Sequence, residues 1–256
     1  MKHIRKRFLF EKKLPAEIAD CFIKQTAFIE YNATAKLEVP DDKTAYLFTE
    51  DNRVIRPFQF KDKDRVYYIP VPDPILVYFN TAYFNFKNIE SAKTKVFEVL
   101  EETVLSEAII NDLYHFFSLS NVFVVSLISA LEAFVNEEIP ANFEYSVQYK
   151  KRRKVLNKAK IQRNVPFLEK VNKVMREISK KHFAKEHPEQ YKLIEELKEF
   201  RDSLVHMKPE AIKTENDFVY IQALSFRYEE TLEAVAAYMN YYKQDYIVEC
   251  PCGLEL

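Results

Sequence analysis

An arginine, an aspartate and a histidine stand close together in this chain, and their types can do chemistry on an anion. Arg201, Asp202 and His206 lie within one short stretch of predicted helix. A guanidinium stabilises developing negative charge, and an imidazole transfers protons near neutral pH. Asp202 precedes His206 by one helical turn, so its carboxylate can hold the ring. The alternative is a solvated histidine at a helix end with a weak local pair.

The helix that carries these residues has an apolar arc with a charge inside it. At about 100° per residue, Arg201 lies near the middle of the arc. The apolar members of the arc are Leu193, Ile194, Leu197, Phe200, Leu204, Val205 and Met207. A guanidinium that faces a core is costly unless it is paired and hydrogen-bonded. The sequence therefore predicts an acidic partner for Arg201.

The predicted helix from Asn121 to Glu138 offers that partner. Its polar stripe consists of Ser126, Ser129, Glu132, Ala133 and Asn136. Glu132 is the sole acid between Asp112 and Glu137, so we expect it to pair with Arg201. A purely structural ion pair between two packed helices is the alternative interpretation.

A basic segment lies between residues 150 and 163, with no acid between Glu144 and Glu169. Its cations are Lys150, Lys151, Arg152, Arg153, Lys154, Lys158, Lys160 and Arg163. The aromatic residues Tyr145, Tyr149 and Phe167 are interleaved with them. Cations with aromatic neighbours suit the phosphate backbone and the bases of RNA. The alternative is a solvated connector.

The stretch Arg201-Asp202-Ser203-Leu204-Val205-His206 resembles the R-x(4-6)-H signature of the HEPN superfamily, whose helical domains include many metal-independent ribonucleases. Ser129-Ala130-Leu131-Glu132-Ala133-Phe134-Val135-Asn136 is similar to the family's earlier core helix. The resemblance covers roughly residues 88 to 245. Asp202 stands where asparagine is most usual in the family, and Lys208 replaces the tyrosine of a toxin subgroup that an antitoxin nucleotidyltransferase regulates. Arg176 and His182 also fit the signature, but no apolar arc encloses Arg176.

The resemblance implies an endoribonuclease in which the 2′-hydroxyl of RNA attacks the adjacent phosphate and leaves a 2′,3′-cyclic phosphate. His206 would move the proton, Arg201 would stabilise the transition state, and Asp202, Glu132, Asn136 or Ser129 would orient them. On an ideal helix Arg201 and His206 are about 140° apart. The family's solution is a homodimer with a composite cleft, which we expect here with C2 symmetry. Neither a cofactor nor a metal is implied; the RNA target is expected to be tRNA or another structured RNA, in defence or stress.

The composition excludes several other classes of protein. The chain has 256 residues and a formal net charge of −1, so it is no uniformly basic nucleic-acid binder. Its one glycine, Gly253, excludes the glycine-rich phosphate-binding loops. Three cysteines form no disulfide framework, which favours a reducing, cytoplasmic location. Cys250 and Cys252 suggest a metal, but a closed site needs about four ligands, so a loose tail is the preferred interpretation.

The pattern of elements predicts a mainly α protein, with a small antiparallel β-rich region at residues 1–86 and a HEPN-like bundle of four to five helices at residues 87–256. Strands are predicted at residues 27–39, 44–49, 53–60 and 65–71, with a hairpin turn at Glu50–Asn52. Helices are predicted at residues 89–116, 121–138, 166–185, 188–208 and 225–243. The apolar run from Val122 to Val135 is short and contains Glu132, so it predicts a core helix and no membrane span.

Two rival functions remain open at this stage. The first is a HEPN-like module that binds nucleic acid or a nucleotide without catalysis and keeps Arg201 and Glu132 as a buried pair. The second is a helical protein-interaction subunit whose N-terminal sheet pairs with a partner. In the ribonuclease interpretation, the N-terminal region would sense or recruit an unidentified regulator.

Overall fold

Helices make up most of the described chain, as the sequence predicts, and short strands occupy its N-terminal part. The structure, a computed structural model, describes residues 3–9, 11–13, 15, 28–29, 46–48, 52–63, 65–101, 107–149, 152–206 and 215–252. The chain divides into two compact units, residues 6–76 and residues 1–5 together with 77–256. The predicted division after residue 86 falls later, inside the first long helix.

The N-terminal unit consists of a small sheet and a hairpin. Its described strands are β1 (Glu11–Lys13), β2 (Phe28–Ile29), β3 (Tyr46–Phe48), β4 (Arg53–Ile55), β5 (Pro57–Asp62) and β6 (Arg65–Pro70). The sheet order is β1-β4-β3-β2, and β5 pairs with β6. Leu47 pairs with Ile55 across the predicted turn, where Asn52 has a φ of 62°, so this hairpin is confirmed.

The antiparallel prediction for this region holds with one exception, since β2 and β3 pair in parallel. A small apolar core is formed by Leu47, Ile55, Val66 and Tyr68, with Phe8 against it. Apart from Phe28 and Ile29, the strand predicted at residues 27–39 lies outside the described residues.

Two long helices follow, α1 (Pro74–Glu101) and α2 (Glu107–Glu138), and their bounds differ from the prediction. Helix α1 begins well before residue 89 because Asp73 caps it. The Asp73 carboxylate accepts a hydrogen bond from the Ile75 amide at 2.9 Å, and Pro74 fits the first helical position, where its missing N–H costs nothing.

Helix α2 continues through residues 117–120, where the sequence predicts a break. Ser120 is fully buried, and its hydroxyl is hydrogen-bonded to the Tyr228 hydroxyl at 2.7 Å. A serine with its hydroxyl satisfied by a neighbouring element does not interrupt a helix. The predicted core helix is therefore the second half of a longer one, in which Phe123, Leu127 and Phe134 are completely buried. By length and composition α2 also meets the criterion for a membrane-crossing helix, and 56% of its most apolar window is buried inside the protein.

The basic segment forms a β-hairpin that the sequence does not predict. Strand β7 (Glu144–Tyr149) pairs in antiparallel fashion with β8 (Arg152–Asn157), and α3 (Lys158–Asn164) follows directly. Tyr145 and Val147 alternate with polar residues, which is the pattern of a strand. The alternation is short and is followed by a run of cations, so the sequence analysis interprets the segment as a charged connector. Beneath the hairpin lies an apolar cluster of Ile139, Tyr145, Ile161, Val165 and Val174.

The single helix predicted at residues 166–185 is interrupted twice. It consists of α4 (Phe167–Glu169), a π-helical turn (Lys170–Val174) and α5 (Met175–Ser179), and then α6 (Phe183–Glu186). Lys180 ends α5 in the left-handed region, with a φ of 60°. The remaining helices are α7 (Pro188–Val205), α8 (Glu215–Ser225), which the sequence does not predict, and α9 (Tyr228–Tyr242).

Candidate functional site

The candidate site lies at the C-terminal end of α7. Pro188 opens this helix at its first turn, and His206 is its C-terminal cap, with its backbone N–H on the Asp202 carbonyl at 3.0 Å. Leu193, Ile194, Leu197 and Phe200 bury the first part of the apolar arc. The helix is thereby fixed along its length, and its last turn carries the predicted residues.

Arg201 does not face the core, contrary to the prediction. Its side chain is 39% exposed. The strip that contains Ile194, Arg201 and Val205 is buried at its beginning and exposed at its end, where Val205 is 53% exposed. The arc thus leaves the core toward the helix terminus, so the guanidinium needs no buried acid. A helical wheel shows the angular position of a residue but not how far along the helix the packing extends.

Asp202 is the acid that Arg201 contacts. One carboxylate oxygen accepts from the Arg201 guanidinium at 3.2 Å, and the other accepts a short hydrogen bond from Lys198. Burial alone would raise the pKa of the Asp202 carboxyl, but the hydrogen bonds and charges of Lys198 and Arg201 lower that pKa below its usual range. In the described part of the chain, the carboxylate is therefore held by two cations and does not hold the His206 ring as predicted.

Glu132 pairs with a buried lysine, which corrects the predicted pair with Arg201. Lys170, in the π-helical turn, is only 1% exposed, and its ammonium lies 2.7 Å from the Glu132 carboxylate. The same ammonium donates to Asn136 Oδ1 at 3.1 Å and to the Gln162 carbonyl at 3.2 Å. The structure thus brings Glu132 and Asn136 together, but around Lys170.

The signal for this lysine is present in the sequence. Lys170 shares a helical face with Val171, Val174 and Met175, all of which are buried. A cation on a buried face requires an acid, which is the argument that the sequence analysis applies to Arg201. A buried cation does pair with Glu132, but that cation is Lys170 and not Arg201. Ser129 does not contact Lys170 in the hydrogen bonds described above. Its hydroxyl donates to the Val125 carbonyl of its own helix at 2.7 Å.

The predicted RNA-binding cations do not all remain available to a ligand. Arg153 and Lys154 are exposed on β8, and Lys160 and Arg163 are exposed on α3. Lys158 instead donates to the Glu137 and Ile139 carbonyls, at 3.3 and 2.5 Å, and so satisfies the C-terminal end of α2. Lys150, Lys151 and the side chain of Arg152 lie outside the described residues.

Tyr145 is not available for base stacking either. It is 3% exposed, and its hydroxyl donates to the Glu169 carboxylate at 2.8 Å. Burial, together with that hydrogen bond, raises the pKa of Tyr145. Phe167 is half-buried, and the side chain of Tyr149 lies outside the described residues.

The second match to the R-x(4-6)-H pattern falls across a break in the fold. Arg176 lies on α5 and His182 caps the start of α6, with the left-handed Lys180 between them. The two residues therefore do not share one helix, unlike Arg201 and the cap residue His206. This supports the choice of Arg201 and His206 over the second match.

Comparison of the chain with protein-family models, with curated proteins and with solved structures finds no match in any of the three. The candidate site is therefore argued from its own residues. It presents Arg201, Lys198 and His206 at an accessible helix end, where the Asp202 carboxylate holds the first two. Such a group can bind an anion, stabilise added negative charge and exchange a proton with it.

Proposed function

We propose that this protein is a metal-independent endoribonuclease of the HEPN type, with its site at the C-terminal end of α7. The observation that carries the proposal is the accessibility of the three predicted catalytic residues. Arg201 and Asp202 are partly exposed and His206 is exposed, all at one helix end. A polyanion the size of RNA can reach such an end, whereas it could not reach a buried Arg201–Glu132 pair.

In the proposed reaction, the 2′-hydroxyl attacks the adjacent phosphorus and the bond to the 5′-oxygen of the next nucleotide breaks. The products are a 2′,3′-cyclic phosphate and a 5′-hydroxyl. His206 takes the proton of the attacking hydroxyl or gives one to the leaving oxygen. Arg201 stabilises the additional negative charge on the phosphoryl oxygens. Asp202 positions Arg201, because it holds the guanidinium at 3.2 Å.

One protomer alone supplies only one histidine to the reaction, which needs both a base and an acid. A second copy of the chain, related by a two-fold axis, would bring a second Arg201 and a second His206 to the same phosphate. Val205, which is apolar and 53% exposed, lies between these residues in the sequence and suits contact with that copy.

The test is incubation of purified full-length protein with total RNA in the presence of EDTA, followed by mapping of the product ends. Cyclic-phosphate and 5′-hydroxyl ends from the wild type, absent with His206→Ala or Arg201→Ala, are the expected result. Since both side chains are substantially exposed, each variant should melt close to the wild-type temperature. Cleavage that survives both substitutions would place the activity elsewhere.

A nucleic-acid-binding module without catalysis is the second candidate, and the β7–β8 hairpin favours it. This element places Arg153 and Lys154 in the exposed strand β8, and Lys160 and Arg163 follow on α3. Neighbouring residues of a strand point to opposite faces, so the hairpin presents positive charge on both sides. Positive charge on both sides suits contact with the phosphate backbone of an RNA that passes around the hairpin.

Charge reversal separates the two candidates. If binding is the function, the double variant Arg153→Glu, Lys154→Glu weakens RNA binding and reduces its salt dependence, because fewer counterions are released. His206→Ala then leaves binding unchanged and no cleavage is seen with any form. The matched control is Lys12→Glu, Lys13→Glu on the exposed strand β1, which applies the same charge change to the other unit.

A further inference from the structure

Three metal-binding side chains from opposite ends of the chain meet in one place. His3, Cys250 and Cys252 each direct one ligand atom to a common region, where these atoms all lie within 4.8 Å of one another. His3 Nε2 is 3.0 Å from Cys252 Sγ, although the two residues are 249 positions apart. Neither Cys250 nor Cys252 is joined in a disulfide. The sequence analysis treats the two cysteines as a loose tail and predicts no metal.

Backbone pairing explains why these residues meet. The first described residues form an antiparallel bridge with the last ones, Ile4 opposite Glu249. The Arg5 amide donates to the Val248 carbonyl at 2.8 Å, and the Cys250 amide donates to the His3 carbonyl at 2.9 Å. His3 and Cys250 are therefore cross-strand neighbours, and side chains in that relation lie on one face.

The segment that carries the cysteines is anchored before it reaches them. The Asn240 side chain on α9 holds both backbone groups of Ile247, at 2.7 and 2.8 Å. Tyr246 is 1% exposed, and its ring lies 5.4 Å from the ring of Phe134 on α2. The two strands of the bridge thus sit on a fixed base, and the site does not depend on ordering of a loose tail.

The histidine is arranged as a metal ligand usually is. It is 6% exposed, and its Nδ1 lies 3.2 Å from the Ile4 carbonyl. A carbonyl only accepts hydrogen bonds, so that contact places the proton on Nδ1 and leaves the lone pair on Nε2, the atom that approaches Cys252. Histidines that bind metals commonly donate their other N–H to a carbonyl or carboxylate, which fixes the ring and its tautomer.

One nitrogen and two sulfurs form a donor set that suits zinc. Zinc prefers tetrahedral coordination by thiolate and imidazole, with bonds of about 2.3 Å to sulfur and about 2.0 Å to nitrogen. Two donors on such an ion are about 3.5–3.8 Å apart, so the atoms here need to move by only about an ångström. Three ligands leave the fourth position to a water molecule or an external ligand, and the exposed Cys252 keeps that position accessible.

We propose that His3, Cys250 and Cys252 bind one Zn²⁺ ion that joins the two terminal segments of the chain. Both thiols bind as thiolates, so each ion displaces two protons. The ion stabilises the folded chain because it binds that state alone. The proposal is independent of the proposed ribonuclease site.

The test uses reduced, tag-free, full-length protein, because an affinity tag of histidines would itself bind zinc. Metal analysis after addition of ZnSO₄ and removal of excess should find one zinc per chain. Substitution with Co²⁺ should give the intense near-ultraviolet bands of thiolate-to-cobalt charge transfer and the visible bands of a tetrahedral site. Titration of zinc into apoprotein in weak buffer should release about two protons per ion.

Variants then assign the ligands. His3→Gln, Cys250→Ser and Cys252→Ser should each lose zinc affinity by at least about tenfold, since loss of a residue that only hydrogen-bonds a ligand already costs that much. The matched control is His115→Gln, which removes an exposed histidine on α2 and should retain one zinc. The melting temperature of the wild type should rise with zinc, and that of Cys252→Ser should not.

Two results would overturn the proposal. Reduced wild-type protein that binds no zinc at micromolar concentrations excludes the site, and because this measurement uses no variant, it does not depend on a substitution folding. Zinc that remains bound to all three ligand variants places the ion elsewhere. RNA cleavage does not enter either readout, so failure here and failure of the ribonuclease proposal are distinguishable.

Discussion

At the scale of single residues, Lys170 is the buried lysine or arginine among the residues that the structure describes. A lysine that is 1% exposed has lost its hydration, and Glu132, Asn136 and the Gln162 carbonyl take the place of water among the described residues. Glu132 is 44% exposed and can be hydrated without its partner. Lys170 therefore depends on Glu132 for stabilisation of its charge, whereas Glu132 does not depend on Lys170.

This difference predicts that loss of Glu132 destabilises the protein more than loss of the Lys170 charge. Glu132→Ala leaves a buried ammonium with neutral partners only and should cost about 2 kcal/mol, less than for a fully buried pair because water can reach the site. Lys170→Met keeps the volume and removes the charge, and should cost about 1 kcal/mol or less. Urea unfolding of both variants measures this.

The control for that series is Lys173→Met, which removes a lysine that is 59% exposed and 3.6 Å from Glu169. It should change the free energy of unfolding by less than about 0.5 kcal/mol. A Lys170→Met variant less stable than Glu132→Ala would contradict the argument.

Asp202 predicts a pH dependence of stability. Its pKa is lowered from 3.8 because the bonds and charges of Lys198 and Arg201 outweigh burial. A lowered folded-state pKa means that the contribution is present above the unfolded pKa and is lost as the pH falls through the folded one. Asp202→Asn should therefore be less stable than the wild type near neutral pH, by about 1 kcal/mol or less, and the difference should shrink as the pH falls below 3.8 through the lower folded-state pKa.

Urea unfolding at several pH values, with Asp217→Asn as a control for loss of an exposed acid, measures that difference. If the difference in free energy of unfolding between wild type and Asp202→Asn increased in acid, the ion pairs of Asp202 could not be its cause.

At the scale of elements, a buried hydrogen bond joins α2 to α9. The Tyr228 hydroxyl lies 2.7 Å from both Ser120 Oγ and the Ala223 carbonyl, and all three groups are buried. Without that hydroxyl, two polar groups would be left in the core. The hydroxyl of Tyr228 thus satisfies buried polar groups of two elements.

Tyr228→Phe should therefore destabilise the protein by about 1–3 kcal/mol at neutral pH. Burial raises the pKa of Tyr228 to about 12 from 10.0, so its neutral form favours folding, and this contribution is lost as the pH rises above 10.0. The gap between wild type and variant should accordingly narrow in alkali.

Denaturant unfolding on both sides of pH 10 measures this, beside Tyr220→Phe, which removes a hydroxyl from a side chain in an exposed position and keeps its ring against Phe117. Equal costs for the two substitutions would mean that the Ser120 contact does not stabilise α2.

The same elements show what the sequence can and cannot predict. Periodicity predicts the mainly α composition and the hairpin at Asn52, because these follow from local pattern. The break predicted near Ser120 fails because the satisfying hydroxyl comes from Tyr228, more than a hundred residues away. The β7–β8 hairpin is missed because its cations obscure a short alternation of buried and exposed positions.

The sequence likewise predicts only part of the candidate site. Residue types and spacing place Arg201, Asp202 and His206 on one helix end. Spacing cannot show that the apolar arc leaves the core at that end, nor that Lys170 and not Arg201 takes Glu132. The meeting of His3 with Cys250 and Cys252 is a contact between the two ends of the chain, which no local pattern predicts.

At the scale of the whole molecule, the proposed ribonuclease requires two copies of the chain. If both copies of Arg201 and His206 act in one cleft, a dimer with one His206→Ala chain lacks either the acid or the base. In an equal, fully exchanged mixture of wild type and His206→Ala, a quarter of the dimers are wild type, so about a quarter of the wild-type rate is expected.

Activity of the mixture and sedimentation of the wild type measure this together. A rate of about half that of the wild type, from protein that is dimeric and exchanges subunits, would show that each chain acts without the His206 of its partner.

The central claim is that the end of α7 cleaves RNA, and the two matches to one motif allow a direct test. His206→Ala and His182→Ala each remove one histidine from an R-x(4-6)-H pattern, and only His206 shares a helix end with its arginine. Cleavage of one RNA in EDTA should fall by at least about a hundredfold with His206→Ala, as for loss of a general acid or base, and stay near wild type with His182→Ala. Equal activity of both variants, or wild-type protein that binds RNA and leaves it intact, would contradict the account.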